Sequence, residues 1–174
     1  MDELITREGL RVVLRGIRAG DVALHEEFIA ALDPKDLRFR FGNRIVEAPP
    51  SRLRRMTAVD HHNELTVVAV MEAATGASEI VGEIRLQEDV DGATAEFAIA
   101  VRTSLQRQGL GRALLEKAVE ICRERKLRLL YGLVDRSNTA MIELARRLRF
   151  EVDEVPAGAT VVVTRDLTRD GPSS

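Results

Sequence analysis

Apolar and polar residues alternate along this chain in patterns that predict short strands and amphipathic helices. Apolar runs rich in β-branched residues predict strands at residues 10–15, 65–71, 79–87, 94–101, 127–134, 150–155 and 160–167. Apolar residues at helical spacing predict helices over residues 22–32, 110–122 and 138–148, and a short helix through Leu53 and Met56. The pattern is typical of a mixed α/β domain with about seven strands and four helices.

The order of these elements changes along the chain. The strands at 65–71, 79–87 and 94–101 are joined by short polar turns, which predicts an antiparallel meander. After Val101 the pattern becomes strand, helix, strand. We expect Asp33-Pro34 to end the first helix, and the basic, aromatic segment 35–44 that follows has no clear period.

Length and composition bound the class of protein. The 174 residues, 45% hydrophobic and 31% charged, predict one domain over residues 1–168 and a flexible tail over 169–174. The single cysteine, Cys122, excludes a disulfide framework and lies on an apolar helix stripe, so we expect it in the core. A net charge of −2, no Trp and one Tyr disfavour a nucleic-acid-binding protein.

The sequence also predicts where the protein is located and whether it binds a metal. No apolar run approaches the ~20 residues of a membrane span, and no secretory signal is recognisable, so we expect a cytoplasmic protein without membrane attachment. Asp60-His61-His62-Asn63 offers adjacent polar residues but no third ligand, so no metal site is predicted. Basic residues at 38, 40, 52, 54 and 55 form an exposed face or steer an acidic acceptor protein, and spacing alone favours neither.

The turn at residues 106–112 carries the most information about chemistry. Gly109 and Gly111 allow a tight turn and close approach of a ligand where a strand passes into a helix. The helix start offers unpaired amides and the positive end of the dipole. Residues 102–128 hold eight basic and three acidic side chains, so this segment carries +5 in a chain of net −2. These features predict a site for a small polyanion such as a diphosphate.

Two common nucleotide motifs do not fit this turn. A dinucleotide-binding fingerprint needs a third glycine where Leu114 stands. A P-loop needs Lys followed by Ser or Thr after the second glycine, and Arg112-Ala113 stands there. On spacing alone, a glycine turn that merely begins a structural helix remains an equal alternative.

The residues of this turn resemble a family motif. Gln106-Arg107-Gln108-Gly109-Leu110-Gly111 resembles the Gln/Arg-x-x-Gly-x-Gly/Ala turn of the GNAT superfamily of N-acetyltransferases, and the likeness extends over strand 95–101 and residues 138–150. The resemblance implies the GNAT fold and an acetyl-CoA cosubstrate, with no metal. The residues it implies for cofactor binding are Ile99, Ala100 and Val101 along pantetheine, Gln106, Arg107, Gln108, Gly109, Leu110, Gly111 and Arg112 around the pyrophosphate, and Asn138 on the cofactor's arm.

A narrower likeness concerns the acceptor. Ala-Glu-Phe-Ala at 95–98, Arg-Phe-Arg-Phe-Gly at 38–42 and Asn-Thr-Ala-Met at 138–141 resemble bacterial protein lysine acetyltransferases, which modify acyl-CoA synthetases. This resemblance implies acetyl transfer to a protein lysine, with an acyl-CoA synthetase as partner. A small amine or an antibiotic as acceptor remains an alternative, and so does an acyl-CoA sensor without catalytic activity. A homodimer is also compatible with the sequence.

Glu96 is the candidate general base. Its neighbours on the same strand face are Ala98 and Ala100, so its carboxylate has room for a substrate or a water molecule. In the similar lysine acetyltransferases a glutamate in this context acts as base; a solvated strand carboxylate is the alternative. Two positions depart from the wider family: Ala145 stands where a tyrosine often acts as acid, and Arg149 stands where glycine commonly precedes Phe150. Tyr131, on a neighbouring strand, is expected to serve packing.

Overall fold

A computed structural model describes residues 2–41, 63–72, 75–153 and 158–169. The strands in these ranges are β1 (Asp2–Ile5), β2 (Arg11–Gly16), β3 (Glu64–Glu72), β4 (Ser78–Glu88), β5 (Thr94–Val101), β6 (Leu129–Asp135), β7 (Glu151–Asp153) and β8 (Thr160–Asp166). The helices are α1 (Val22–Ala30), α2 (Pro34–Phe41), α3 (Leu110–Glu124) and α4 (Thr139–Arg147), and 3-10 turns lie at Ala19–Asp21 and Thr103–Leu105. The predicted helix at Leu53 and Met56 and the Asp60-His61-His62 cluster lie outside these ranges.

The strands form one sheet in the order β1-β2-β3-β4-β5-β6-β8-β7. The pairs β1/β2, β2/β3, β6/β8 and β7/β8 are antiparallel, whereas β5 and β6 are parallel and are connected through α3. A parallel pair requires such a crossover. The α/β class is therefore confirmed, with eight strands among the described residues instead of about seven. The additional strand is β1, which is four residues long and largely exposed, so it lacks an apolar pattern.

Helix α2 corrects the prediction for residues 33–44. Helix α1 ends at Ala30, three residues before Asp33, and Pro34 is the first residue of the next helix. Proline suits that position because the first helical N–H has no partner inside the helix. Leu37 N donates to Asp33 O at 2.9 Å and closes the first turn. The basic, aromatic segment is thus largely helical.

Two compact units make up the chain, residues 1–85 with 99–115 and residues 86–98 with 116–174. In the first unit a core cluster consists of Ile17, Phe28, Ile29, Leu32, Val68, Ile80 and Ala100. In the second, the rings of Phe97 and Phe150 meet edge to face at 5.7 Å. Gly132 makes room for Phe97, because a Cβ at 132 would come within 2.6 Å of that ring. None of the described helices combines the length and hydropathy needed to cross a bilayer.

Helices α3 and α4 end in the same hydrogen-bonded motif, with a non-glycine residue in the left-handed conformation. After α4, Phe150 N donates to Ala145 O at 2.9 Å and Arg149 N to Arg146 O at 3.0 Å, with Arg149 at φ 63°. After α3, Lys126 has φ 60° and occupies the equivalent position. This arrangement is the Schellman motif, in which glycine is the usual residue. The departure at Arg149 therefore leaves the local turn intact.

Replacing Arg149 by glycine should stabilise the protein. Glycine adopts φ near +60° without the steric cost borne by a residue with a Cβ, so we expect a gain of about 0.5–1 kcal/mol in the free energy of unfolding. Urea denaturation of Arg149→Gly checks this. A matched Arg147→Gly variant, changed at the last residue of α4, should instead lose about 0.5 kcal/mol. Equal effects at the two positions would contradict the conformational explanation.

Candidate active site

The connection from β5 to α3 passes through two left-handed residues. Arg107 has φ 62° and Gly109 has φ 94°. Glycine adopts this conformation freely, whereas Arg107 is held in it at a steric cost. Gly111 is the second residue of α3 and its φ is not positive. The turn therefore needs the conformational freedom of glycine at position 109. At position 111 glycine serves only because it has no side chain.

The amides of this turn have no acceptor in the described part of the protein. None of the backbone N–H groups of residues 107–111 donates to another group there. Ala113 N donates to Gly109 O at 3.0 Å, so helical bonding begins just beyond them. These N–H groups precede and begin a helix of 15 residues, whose dipole places positive charge at this end. The predicted diphosphate fits this turn, because several N–H donors and a positive end are gathered there.

Side chains of two predicted turn residues hold the loop in place. Gln106 Nε2 donates to Asp36 Oδ2 at 3.0 Å, and Thr103 Oγ1 donates to the same oxygen at 2.6 Å. Gln108 Oε1 accepts from the backbone N–H of Glu8 at 3.2 Å. The glutamine side chains thus brace the turn against α2 and the β1–β2 hairpin. Asp36 was missed from the sequence because it lies 70 residues away from Gln106.

Strand β5 carries Ile99, Ala100 and Val101 beyond the end of its parallel ladder. The ladder with β6 joins Thr94–Phe97 to Leu129–Gly132 and goes no further. On the side of β5 that faces β6, the peptide groups after Phe97 have no strand partner among the described residues. They can therefore pair with a ligand that has amides of its own. Ala100 is buried, and the residues on either side are half-buried.

Glu96 lies on β5 directly beside Tyr131 of β6, its register partner. Its side chain is half-buried. Tyr131 Oη donates to the carboxylate of Asp89, at 3.2 and 3.3 Å to the two oxygens. Burial raises the pKa of Tyr131 to about 12, and the charges of Asp89 and Glu96 act in the same direction. Tyr131 therefore remains a neutral donor beside Glu96, a polar role that the expectation of simple packing did not include.

Asn138 caps helix α4. Its Oδ1 accepts from Met141 N at 3.2 Å, which satisfies one of the N–H groups at the helix start. The cap uses the oxygen of the side-chain amide. The nitrogen, Nδ2, makes no hydrogen bond within the described ranges and remains able to donate to a ligand.

A second glutamate, Glu83 of β4, is fully buried between a histidine and an arginine. His25 Nε2 lies 2.6 Å from Glu83 Oε2, and Arg40 Nε donates to Oε1 at 2.8 Å. Burial would raise the pKa of Glu83, but the charge of Arg40 and the hydrogen bonds from His25 and Arg40 lower it to about 2. A carboxylate this weakly basic and this enclosed is unsuited to accept a substrate proton. Arg40 is only 6% exposed, so it neither belongs to an exposed basic face nor attracts an acidic acceptor protein, the two alternatives that the sequence left open.

Most of the other residues that the sequence singled out are either buried or lie outside the described ranges. Cys122 is fully buried, and burial raises its pKa to about 12, so it is no nucleophile. Ala145 is also fully buried. Within the residues that the structure describes, no three His, Cys, Asp or Glu side chains are grouped as a metal site would require. The arginines at 52, 54 and 55 lie outside the described ranges.

The buried charge cluster was the main feature that sequence reasoning overlooked. A glutamate inside the apolar run Ile80-Val81-Gly82-Glu83-Ile84 was the available signal, since strands with such runs are buried on both faces. The partners His25 and Arg40 lie 58 and 43 residues away and carry no local signal. The Tyr131–Asp89 contact, across 42 residues, was equally hidden.

Comparisons with known proteins identify the family of this chain. A sequence model of the acetyltransferase (GNAT) family matches residues 33–150. Among solved structures, the chain is similar to the GNAT domain of the S. lividans protein acetyltransferase PAT, with TM-score 0.83 and 20% identity over 95% of this chain and 96% of that one. It is also similar to YncA of Salmonella typhimurium, solved with its cofactor acetyl-CoA (TM-score 0.67, 19% identity, 94% and 96% covered). A third is a chimera of spermidine N-acetyltransferase SpeG from Vibrio cholerae and hSSAT (TM-score 0.69, 17% identity, 91% and 96% covered).

Proposed function

This chain belongs to the acetyltransferase (GNAT) family, and we propose that it transfers an acetyl group from acetyl-CoA to a lysine side chain of an acceptor protein. The single observation that carries the proposal is the run of N–H groups at residues 107–111, which have no acceptor in the described chain and stand at the start of α3. A diphosphate is the ligand that such a run suits. The likeness to PAT supports a protein as acceptor.

Binding is assigned to three parts of the chain. The amides of residues 107–112 hold the pyrophosphate. The free edge of β5 at Ile99, Ala100 and Val101 pairs with the amides of pantetheine. Asn138 donates from Nδ2 to the cofactor's arm, since the helix cap uses only its Oδ1. No metal is assigned a role.

Glu96 performs the proton transfer that the reaction needs. Acetyl-CoA supplies an acetyl thioester, a good acyl donor. Because a lysine ammonium has a pKa of ~10.4, its proton must be removed before the nitrogen can attack, and Glu96 accepts it directly or through one water molecule. The nitrogen electron pair then forms the bond to the carbonyl carbon, the nitrogen releases its second proton to solvent, and the carbon–sulfur bond breaks with its electrons on sulfur. Backbone N–H groups of β5 stabilise the negative charge on the carbonyl oxygen.

Departure of the thiolate needs no acid from the position where the wider family often has tyrosine. Ala145 stands there and is fully buried. A thiol has a pKa of ~8.5, so its anion leaves readily and takes a proton from solvent. The loss of the tyrosine is therefore compatible with catalysis, and a non-catalytic acyl-CoA sensor is the weaker alternative.

The direct experiment is an acetyl-transfer assay with three acceptors. The purified protein, acetyl-CoA and an acyl-CoA synthetase are incubated together, and acetylated lysine is sought by mass spectrometry. Spermidine and an aminoglycoside serve as small-amine acceptors in parallel. We expect acetylation of the synthetase to exceed that of the small amines. Transfer to a small amine alone would show that the acceptor is a small molecule and not a protein. No transfer to any of the three acceptors would contradict the proposal that the chain is an enzyme.

A further inference from the structure

The strands β5, β6, β8 and β7 have one face on which no position is fully buried in the described part of the second unit. Register partners place Glu96, Tyr131, Thr164 and Glu151 in one row across the four strands. Side chains alternate along a strand, so every second residue shares the face of this row. We call these positions the open face; it consists of residues 94, 96, 98, 129, 131, 133, 135, 151, 153, 160, 162, 164 and 166.

Burial separates the two faces of these strands clearly. All positions of the open face are half-buried or exposed. On the opposite face, Phe97, Leu130 and Val163 are at most 3% exposed. On the open face Leu133 is 53% exposed, although β6 lies between two other strands. A large apolar side chain in an inner strand would be covered if another element of the protein lay on it.

The charges of the open face have one sign. The positions of this face carry five carboxylates, at 96, 135, 151, 153 and 166, and no basic residue. Arg165 belongs to the opposite face, where its guanidinium lies 6.0 Å from the centre of the Phe150 ring. Arg169 and Arg128 act on the face from outside it. Arg169 pairs with Asp166 at 3.3 Å and with Glu151 at 3.8 Å, and Arg128 acts on Asp166 over a longer distance. The face thus keeps a net negative charge, with Leu133 as an apolar contact.

We infer that the open face docks a segment of the acceptor protein in which the target lysine is flanked by further basic residues. The proposed function is its premise, because Glu96, the proposed base, belongs to the same face. Three steps between strands span about 14 Å, which exceeds one ammonium group and suits a peptide segment. Opposite charge attracts such a segment, and Leu133 gives it an apolar contact. A second copy of this chain would bring like charges together across a twofold axis and is disfavoured.

Peptide binding tests this surface independently of catalysis. Fluorescein-labelled peptides with one central lysine, flanked either by arginines or by glutamates, are titrated with the full chain in the presence of coenzyme A. We expect the basic peptide to bind at least about tenfold more tightly, and its affinity to fall as salt rises from about 50 to about 300 mM. Fluorescence anisotropy gives both dissociation constants.

Charge reversal on the open face supplies the matched variants. Glu151→Lys with Asp153→Lys should weaken binding of the basic peptide about tenfold. Glu120→Lys with Glu143→Lys makes the same change of charge on α3 and α4, outside the strands of the open face, and should change it less than about twofold. Thermal melting shows whether both variants are folded, and the affinity for coenzyme A should match that of the unaltered chain in both.

Each outcome decides the proposal. Equal binding of the two peptides, or equal effects of the two double variants, would overturn it. A dimer in gel filtration that dissociates in the Glu151→Lys, Asp153→Lys variant would show that a second copy covers the face, and would overturn it too. None of these results bears on acetyl transfer to the amines named above, so failure of the docking surface and failure of the proposed function remain distinguishable.

Discussion

Replacing Glu96 by glutamine should lower kcat about 10²- to 10⁴-fold, the contribution typical of a positioned general base. Glutamine keeps the size and the hydrogen-bonding capacity of glutamate but cannot take up the ammonium proton. The side chain lies three residues before Ile99 in β5, and the fold does not depend on it, since it is only half-buried. Steady-state kinetics with a lysine-containing acceptor measures the loss.

The affinity for coenzyme A separates this explanation from a general loss of structure. Glu96→Gln should bind coenzyme A as the unaltered protein does, because the proposed phosphate and pantetheine contacts are made by backbone groups elsewhere. Glu143→Gln, an exposed change on α4, serves as matched control and should keep the full rate. Full activity of Glu96→Gln would refute the assignment of the base. The rate of the variant should also rise with pH, as free amine becomes available without a base.

Replacing Glu83 by glutamine should cost about 3–5 kcal/mol in the free energy of unfolding, because the buried ion pair between Glu83 and Arg40 would lose its negative charge. The double change Glu83→Leu with Arg40→Met removes both charges and should recover much of that loss. Urea denaturation of the single and double variants provides the comparison. A loss below about 1 kcal/mol in the single variant would contradict the role given to this cluster.

Acid should reveal the same cluster in the unaltered protein. The pKa of Glu83 is about 2 when folded and lies near 4.5 for an ordinary glutamate. A lowered pKa means that the stabilisation is complete above about pH 4.5 and is lost as the pH falls from there toward 2. The Glu83→Leu, Arg40→Met variant should lose less stability over this window, and denaturation curves at several acid pH values check the difference.

Local patterns predicted the class of fold and most strands because burial and alternation are local properties. The α/β order, helix α3 and the turn at its start followed from apolar spacing and from glycines. Helix α2 was missed because its residues, Pro34–Phe41, have weak apolar periodicity, and proline was assigned only its helix-ending role. Strand β1 was missed because an exposed four-residue strand gains its stability from β2 and not from its own pattern.

In the candidate site, too, local features could be predicted and contacts between distant residues could not. Its backbone part, the amides of residues 107–111, was predictable because a glycine turn before a helix fixes their direction. Its side-chain part depended on contacts between distant residues, such as Tyr131 with Asp89 and Glu83 with Arg40. Gln106 and Gln108 show the difference within a single motif. Their positions were predicted, but their side chains brace the loop, a use that only the fold determines.

Isothermal titration calorimetry of coenzyme A and of pantetheine, which lacks both the pyrophosphate and the phosphorylated adenosine, tests the central claim most directly. We expect one site per chain and at least about 100-fold tighter binding of coenzyme A, since a hydrogen bond to a charged group is worth ~1.5–3 kcal/mol. Gly109→Glu should abolish the difference, because it places a carboxylate and a strained φ in the turn. No heat from coenzyme A with folded protein, or equal affinity for pantetheine, would contradict the account.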